Sequence, residues 1–573
     1  MSRVYLGSKK WRWGRMLEFE TSDWAFNSAL SGFINIVGVE SVAYTDSNRV
    51  SLNEDALKDF TGKYFDYLID TYEKVLPWYR IVSYKRKIVE FEENQFDNFS
   101  EKDLENLNLY MRNVVKHYFS SASYKAVFSL IDADFDPEVE LKALKPINLK
   151  KEDIFSEVKA DILPQVRENF VILRKLIDYG ASEKGRKYLA GKNVVFSVIK
   201  NNWEGVSFLN RNTKEKDFYI DFENHFVEPA KAYLKADKSK YKYHCAICNS
   251  KIKDLKLDYS FLTNTGFDVY RKPSHIWNEN NDLAMCPVCR LVYTCMPAGF
   301  TFIQREGIFI NIGKDIKEMV RTNKVMKNDL NMRLEARNKS VYRALVSLAQ
   351  EKKYEKHRYE LVNIQVVYYE DGVYRFNLLS KRALELMNRF EKELHSLIGM
   401  HFKEGNVRVY LFKEVVKNLQ DNQNLFLLIH KLVYYKVANY GQLHYYPQHI
   451  MNMLKINSYF TEGVGKMSQK IMPEELEKVR AGAYYFKEEL KSRKREQKLP
   501  GMAHQLLNAV KTVDRGLFMD IMLRGYSELD KQIPKIFLRI FESDENFKII
   551  GYAYLIGLVG DNKENNKEEE NEN

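Results

Sequence analysis

Apolar positions recur at helical spacing along most of the chain. Ser22-Asp23 predicts a cap for a helix carrying Trp24, Phe26, Leu30 and Phe33. Asn53 to Leu76 reads as a second amphipathic helix, ended by Pro77, and residues 101–132 and 160–190 are mainly helical. Lys192 to Ile199 (KNVVFSVI) has the β-branched run of a strand, and the polar segment Lys200 to Lys216 breaks the pattern. Two hairpins are expected. One spans Phe300 to Ile312 with Glu306-Gly307 at its turn; the other spans 362–379 with Asp371-Gly372. Between them, 317–358 is helical and strongly basic. From about 381 to 556 nearly everything has helical period, including 381–398, 408–419, 424–439, 473–495 and 503–525.

The expected fold class is α+β and mostly helical. An N-terminal α/β domain spans 1–240, with a cysteine module inserted at 241–299. Hairpins and the basic helix at 300–380 complete that lobe. A C-terminal helical bundle spans 381–560, and a polar tail at 561–573 is expected to be disordered. A chain of 573 residues is too long for one core.

Charge narrows the function classes. The net charge is +11, and the tail holds six acids against two lysines, so the body carries about +15. A polyanionic partner such as nucleic acid would explain it; a lysine-rich soluble surface would give the same number. The first fifteen residues lack the apolar core of a signal peptide. The longest uncharged apolar stretch near the C-terminus, Ile549 to Gly560, is too short to span a bilayer. A soluble, cytoplasmic protein with no membrane partner is expected.

The clearest chemistry lies in Cys245, Cys248, Cys286 and Cys289. Two C-x-x-C pairs in a long chain with only five cysteines indicate a metal rather than a disulfide framework. Four thiolates close a tetrahedral sphere and leave no position for water, so the expected zinc is structural. His244 and His275 read as bystanders, and Cys295 as a buried small side chain.

Enzymatic signatures are missing: no phosphate-binding loop, zincin, nucleophile elbow or dinucleotide fingerprint occurs. Asp132 and Asp134 resemble a carboxylate pair but fit a solvated turn better. The binding signals are stronger. Lys9, Lys10, Arg12 and Arg15 interleave with Trp11 and Trp13, a mixture suited to phosphates and bases. Asn201 and Asn202 offer paired donors and acceptors to base edges, Trp203 offers a wedge, and Arg211 follows. A turn with a packed Trp is the alternative for this segment. Arg321, Lys324, Lys327, Arg333, Arg337 and Lys339 form a cationic helix that could track a backbone or simply be solvated.

Four features resemble the CXXC–CXXC large-subunit family of type I-B CRISPR interference complexes (Cascade). They are DWAFNSALSGFINIVG (Asp23 to Gly38), NNWEGVSFLNRN (Asn201 to Asn212), DFENHFVEPAKAYL (Asp221 to Leu234) and the double C-x-x-C itself. The resemblance implies a non-catalytic subunit at the 5′-handle end of the CRISPR RNA, beside the handle-binding and backbone subunits. Such a subunit reads the protospacer-adjacent motif in target double-stranded DNA, aids R-loop formation, and helps recruit a helicase-nuclease, while the guide reads sequence by pairing. It also implies a small subunit, with Met451, Met453, Met467 and Met472 as possible internal starts. The competing readings are a zinc-stabilised nuclease acting on RNA or DNA, and a zinc-bearing adaptor.

Overall fold

Asp23 Oδ1 accepts the N–H groups of Ala25 and Phe26 and starts the helix Trp24–Val37. The helix is buried almost all round, so it is the axle of its unit rather than an amphipathic cover. Ser28 Oγ donates to the Ala25 carbonyl within the helix, and Asn27 Nδ2 donates across to Asn311 Oδ1, while the buried Ser31 Oγ has no partner among the described residues. In the computed structural model the described residues are 16–149, 154–263, 265, 283–303, 306–332, 364–370, 372–441, 443–461 and 471–560.

The chain divides into two units, Met1–Val341 with Gln365–Phe376, and Tyr342–Ile364 with Asn377–Asn573. In the first, β1 (Met16–Glu20), β2 (Ala43–Asp46) and β3 (Arg49–Asn53) form an antiparallel sheet of order β1-β3-β2. Its register sets Leu17 opposite Leu52 and Phe19 opposite Val50, and all four are buried. A two-stranded ribbon pairs β4 (Tyr243–His244) with β5 (Lys251–Ile252). A larger sheet runs β6 (Thr301–Ile303), β7 (Glu306–Asn311), β8 (Ile364–Glu370) and β9 (Val373–Leu379) in that order.

Two glycines set the closest crossing of this unit. A Cβ on Gly32 would lie 1.9 Å from the Cys295 carbonyl oxygen, and one on Gly299 would lie 1.9 Å from that of Ser28. The first helix therefore meets the short helix Met296–Gly299 backbone to backbone.

Several sequence expectations change here. Lys192–Ile199 is not a strand; Gly191–Ser197 is helical, with Val194 and Val195 in the core. Burial of those two valines overrides their β preference. Asn53 ends β3, and the second helix begins only at Phe60, with Pro77 opening the next one at its first position. Gly307 is not at a turn. It lies within β7 opposite Phe302, where a Cβ would sit 2.5 Å from the Phe302 ring. Gly372 does turn, at φ +86°, while Asp371 lies outside the described residues. The tail at 561–573 also lies outside them.

The second unit is helical around Asp544–Val559, which is buried nearly all round and includes the apolar stretch noted in the sequence. Helices Phe426–Val437, Pro447–Thr461, Pro473–Ser492 and Leu499–Thr512 pack on it. Among the described residues no helix is long and apolar enough to cross a membrane. One small sheet was not expected: β10 (His401–Glu404), β11 (Val407–Tyr410) and β12 (Leu443–His444), in the order β11-β10-β12.

Gly299→Ala should cost about 2 kcal/mol or more in urea unfolding, because backbone cannot move aside as a flexible side chain would. Gly501→Ala, in a helix with nothing within 4 Å of the new methyl, should be neutral or stabilising by about 0.5 kcal/mol. A pH dependence is expected from His449, which is buried and accepts the Tyr446 N–H through Nδ1 at 2.9 Å. Burial lowers its pKa to about 4 from 6.5. The unfolded chain thus takes up this proton first as pH falls through 6.5, and folded stability declines from there down to about 4. Unfolding at pH 7 and pH 5 should differ by about 2 kcal/mol more in the wild type than in His449→Asn, whose Oδ1 can accept the same N–H.

Candidate metal centre

The two C-x-x-C pairs reach one point by different local routes. Cys245 and Cys248 flank a tight turn between β4 and β5: the Cys245 N–H donates to the Ser250 carbonyl, and Asn249 takes φ +55° to close the loop. Cys286 caps the helix Pro287–Thr294, where its Sγ accepts the Cys289 N–H at 3.3 Å. Cys245 Sγ accepts the Cys286 N–H at 3.2 Å, which ties one pair to the other.

All four sulfurs are buried and lie within 4.8 Å of one another. Cys248 and Cys286 Sγ are 3.7 Å apart, beyond bonding and near the ~3.8 Å edge of a tetrahedron with ~2.3 Å metal–sulfur bonds. Hydrogen bonds from Cys248, Cys286 and Cys289 drive the Cys245 thiol far down in pKa. Burial pushes the Cys286 thiol well up, and hydrogen bonding to Cys245 and the others does the same for Cys289. Four adjacent buried thiols thus tolerate little negative charge by themselves; a divalent cation lets all four ionise. The donor set fits a soft tetrahedral ion such as zinc. Among the described residues no other group of three or more His, Cys, Asp or Glu converges in this way. His244 lies exposed on β4 outside the cluster, and His275 falls outside the described residues. Cys295 is fully buried and donates to the Leu291 carbonyl.

The cysteine helix also holds the Asn-Trp segment. The last carbonyl of that helix, on Thr294, has no partner within the helix. It accepts Trp203 Nε1–H at 3.1 Å and the Tyr64 hydroxyl at 2.9 Å. Trp203 forms an isolated bridge with Leu262, the Glu204 N–H donates to the Phe261 carbonyl, and the Thr263 N–H donates to that of Asn202. Gly205 turns the chain away at φ +79°. Trp203 is fully buried, with Phe208 and Phe226 edge-on at 5.3 and 5.5 Å.

This corrects two expected contacts. Trp203 is a core indole and not an exposed wedge, because its ring fills the space between the aromatic cluster and the cysteine helix. Asn202 is likewise buried, its Nδ2 donating to the Tyr374 hydroxyl at 3.0 Å. Asn201 is half-buried, with Nδ2 on the Ser197 carbonyl. A third correction is Lys327. It is 4 % exposed, and Nζ donates to the Ala298 carbonyl at 2.6 Å and the Tyr67 hydroxyl at 3.1 Å. It ties the basic helix Ile316–Met332 to the glycine crossing instead of facing a phosphate. Arg211, Arg321 and Lys324 are exposed. Lys9, Lys10, Arg12, Arg15, Arg333 and Arg337 lie outside the described residues, as does Lys339. Asp132 and Asp134 sit on an exposed turn, where the Asp134 N–H donates to Asp132 Oδ1.

The segment Asp221–Leu234 closes the other side. The Arg290 guanidinium lies over the rings of Phe226 and Phe261, at 5.0 and 5.4 Å, with Nη2 3.1 Å from His225 Nε2. Burial lowers its pKa to about 10. Tyr233 donates to the Lys251 carbonyl in β5. Sequence reasoning missed Thr294, Tyr64 and Phe261. Two of them act through backbone carbonyls, which carry no residue-type signal.

Cys286→Ser should lower the bound metal, counted by elemental analysis, and destabilise the first unit by several kcal/mol, since metal affinity in such a site is folding free energy. Trp203→Phe keeps a ring in place but removes the donor to Thr294; it should cost about 1–2 kcal/mol in unfolding and leave the metal count unchanged.

Comparison with known proteins addresses this module. No curated protein and no solved structure matches the chain. Residues 238–301, which enclose both C-x-x-C pairs, match a family described as CRISPR-associated protein (Cas_CXXC_CXXC). Over its cysteine module the chain is therefore similar to that family, and the likeness supports a CRISPR-associated protein of the CXXC–CXXC kind.

Proposed function

We propose that this protein is the non-catalytic large subunit of a type I-B RNA-guided interference complex, and that its four cysteines hold one structural zinc ion. One observation carries the reading. The family match ends at residue 301. The other three segments that resemble the large subunits all pack on the matched module: Gly32 against Cys295 and Gly299, Trp203 on Thr294, and Phe226 against Arg290. Features separated by as many as 267 residues in sequence, Gly32 and Gly299, form one assembly.

In this role the subunit sits at the 5′-handle end of the CRISPR RNA, with the backbone, handle-binding and small subunits as neighbours. It inspects the protospacer-adjacent motif in duplex DNA, aids strand opening, and helps recruit the helicase-nuclease. Burial of Asn202 and Trp203 gives them a bracing part in that task. Contact with DNA then falls to exposed groups such as Arg211, Arg321 and Lys324. Each supplies a sequence-independent phosphate contact.

Tagged protein expressed with its neighbouring genes should copurify with CRISPR RNA and a multi-copy backbone subunit, and carry about one zinc per chain. Within that complex, Arg321→Glu with Lys324→Glu should weaken duplex binding evenly on motif-bearing and motif-scrambled DNA and lower the salt slope by up to about 2. Isolation without RNA, or cleavage of nucleic acid by the purified chain with Mg2+ or Mn2+, would contradict the reading.

A further inference from the structure

The three-stranded sheet of the second unit places its side chains on two unlike faces. Its register sets His401 opposite Tyr410 on one side and His444 on the other, with Lys403 opposite Arg408. Strand alternation puts all five on the same face. The rings form a row: His401 and His444 stack at 4.3 Å with planes 15° apart, and Tyr410 lies 5.4 Å from His401. The His401 Nδ1–H donates to the Gly399 carbonyl at 3.0 Å and holds the central ring in place. Tyr410 is 37 % exposed, and His444 and Arg408 are exposed as well. Neither Lys403 nor Arg408 forms an ion pair with any described residue.

The opposite face is occupied. Phe402 is buried against Tyr435 of the helix Phe426–Val437, and Glu404 is taken up there by Lys431 and by the Tyr435 hydroxyl at 2.8 Å. The only carboxylate on the three strands thus points away from the ring row and is neutralised. What remains is a cationic aromatic face with no acid of its own.

The geometry points to a binding face for unpaired nucleotides, with bases stacking on the outer faces of the ring row, at Tyr410 and His444, and phosphates meeting Lys403 and Arg408. Every base has a π-face, so such a surface is sequence-tolerant. It prefers single strands, because duplex bases are already stacked. The inference rests on this sheet alone and stands or falls independently of the CRISPR reading.

The test uses the full chain and fluorescence anisotropy with labelled oligo(dT), oligo(U) and a duplex. His444→Ala with Tyr410→Ala should weaken single-strand binding at least about fivefold and leave duplex binding unchanged. Tyr410→Phe with His444→Tyr should restore it, because stacking needs the rings and not their polar atoms. Lys403→Gln with Arg408→Gln should lower the single-strand salt slope by about 1.4. Loss on both oligonucleotides indicates recognition of bases and phosphates only; loss confined to one identifies the strand as DNA or RNA. Photocrosslinking of 5-iodouracil oligonucleotides should label peptides containing Tyr410 or His444. Alanine variants that keep the wild-type melting temperature and bind both oligonucleotides unchanged would overturn the proposal. So would crosslinks confined to the first unit.

Discussion

Four buried sulfurs within 4.8 Å are the constraint on which the first unit depends. Without a cation the cluster is an electrostatic conflict. Hydrogen bonding favours the Cys245 thiolate, while burial keeps Cys286 protonated. A metal ion there would remove that conflict and fix the start of the helix Pro287–Thr294 against the turn after β4. The far end of the same helix carries the Thr294 carbonyl, which anchors Trp203 and Tyr64, and the next turn carries the carbonyl and glycine that the first helix crosses. Metal affinity at this cluster would thereby be converted into position for segments far from the sulfurs.

How much of this was legible in the sequence depended on the kind of signal. The cysteine spacing identified all four sulfurs, because a C-x-x-C turn has few other uses in a reduced chain. The Asp23 cap and the Gly372 turn were legible because each is local, written in a residue and its immediate neighbours. Contacts decided elsewhere were not. Val194 and Val195 have strand-forming side chains, but the core places them on a helix. Gly307 resembles a turn residue, but the Phe302 ring across the ladder is what excludes a side chain there. Lys327 reads as a solvated cation until the Ala298 carbonyl and Tyr67 are brought to it by the fold. Trp203 could be read from sequence as either wedge or core; only its partners 91 residues away decide between them.

The same distinction bears on function. The segment Asn201 to Asn212 resembles a signature, and its structure gives that pattern a mechanical meaning: two buried residues and a glycine turn lock this part of the chain to the module. Groups that face solvent, not the buried residues of the motif, are the ones able to meet a ligand. Arg211, near the end of the segment, is exposed, and in the second unit so are Tyr410 and His444 at the two ends of the ring row. A binding surface and the brace behind it are thus different residues.

Hydrogen exchange read by mass spectrometry, with and without a chelator, tests the bracing role most directly. Removing the metal should deprotect the cysteine module and, with it, the amides of Trp203 and Glu204 and the first helix Trp24–Val37. The helix Asp544–Val559 of the second unit should keep its protection. Unchanged exchange at Trp203 and Glu204 after the module has opened would contradict the account.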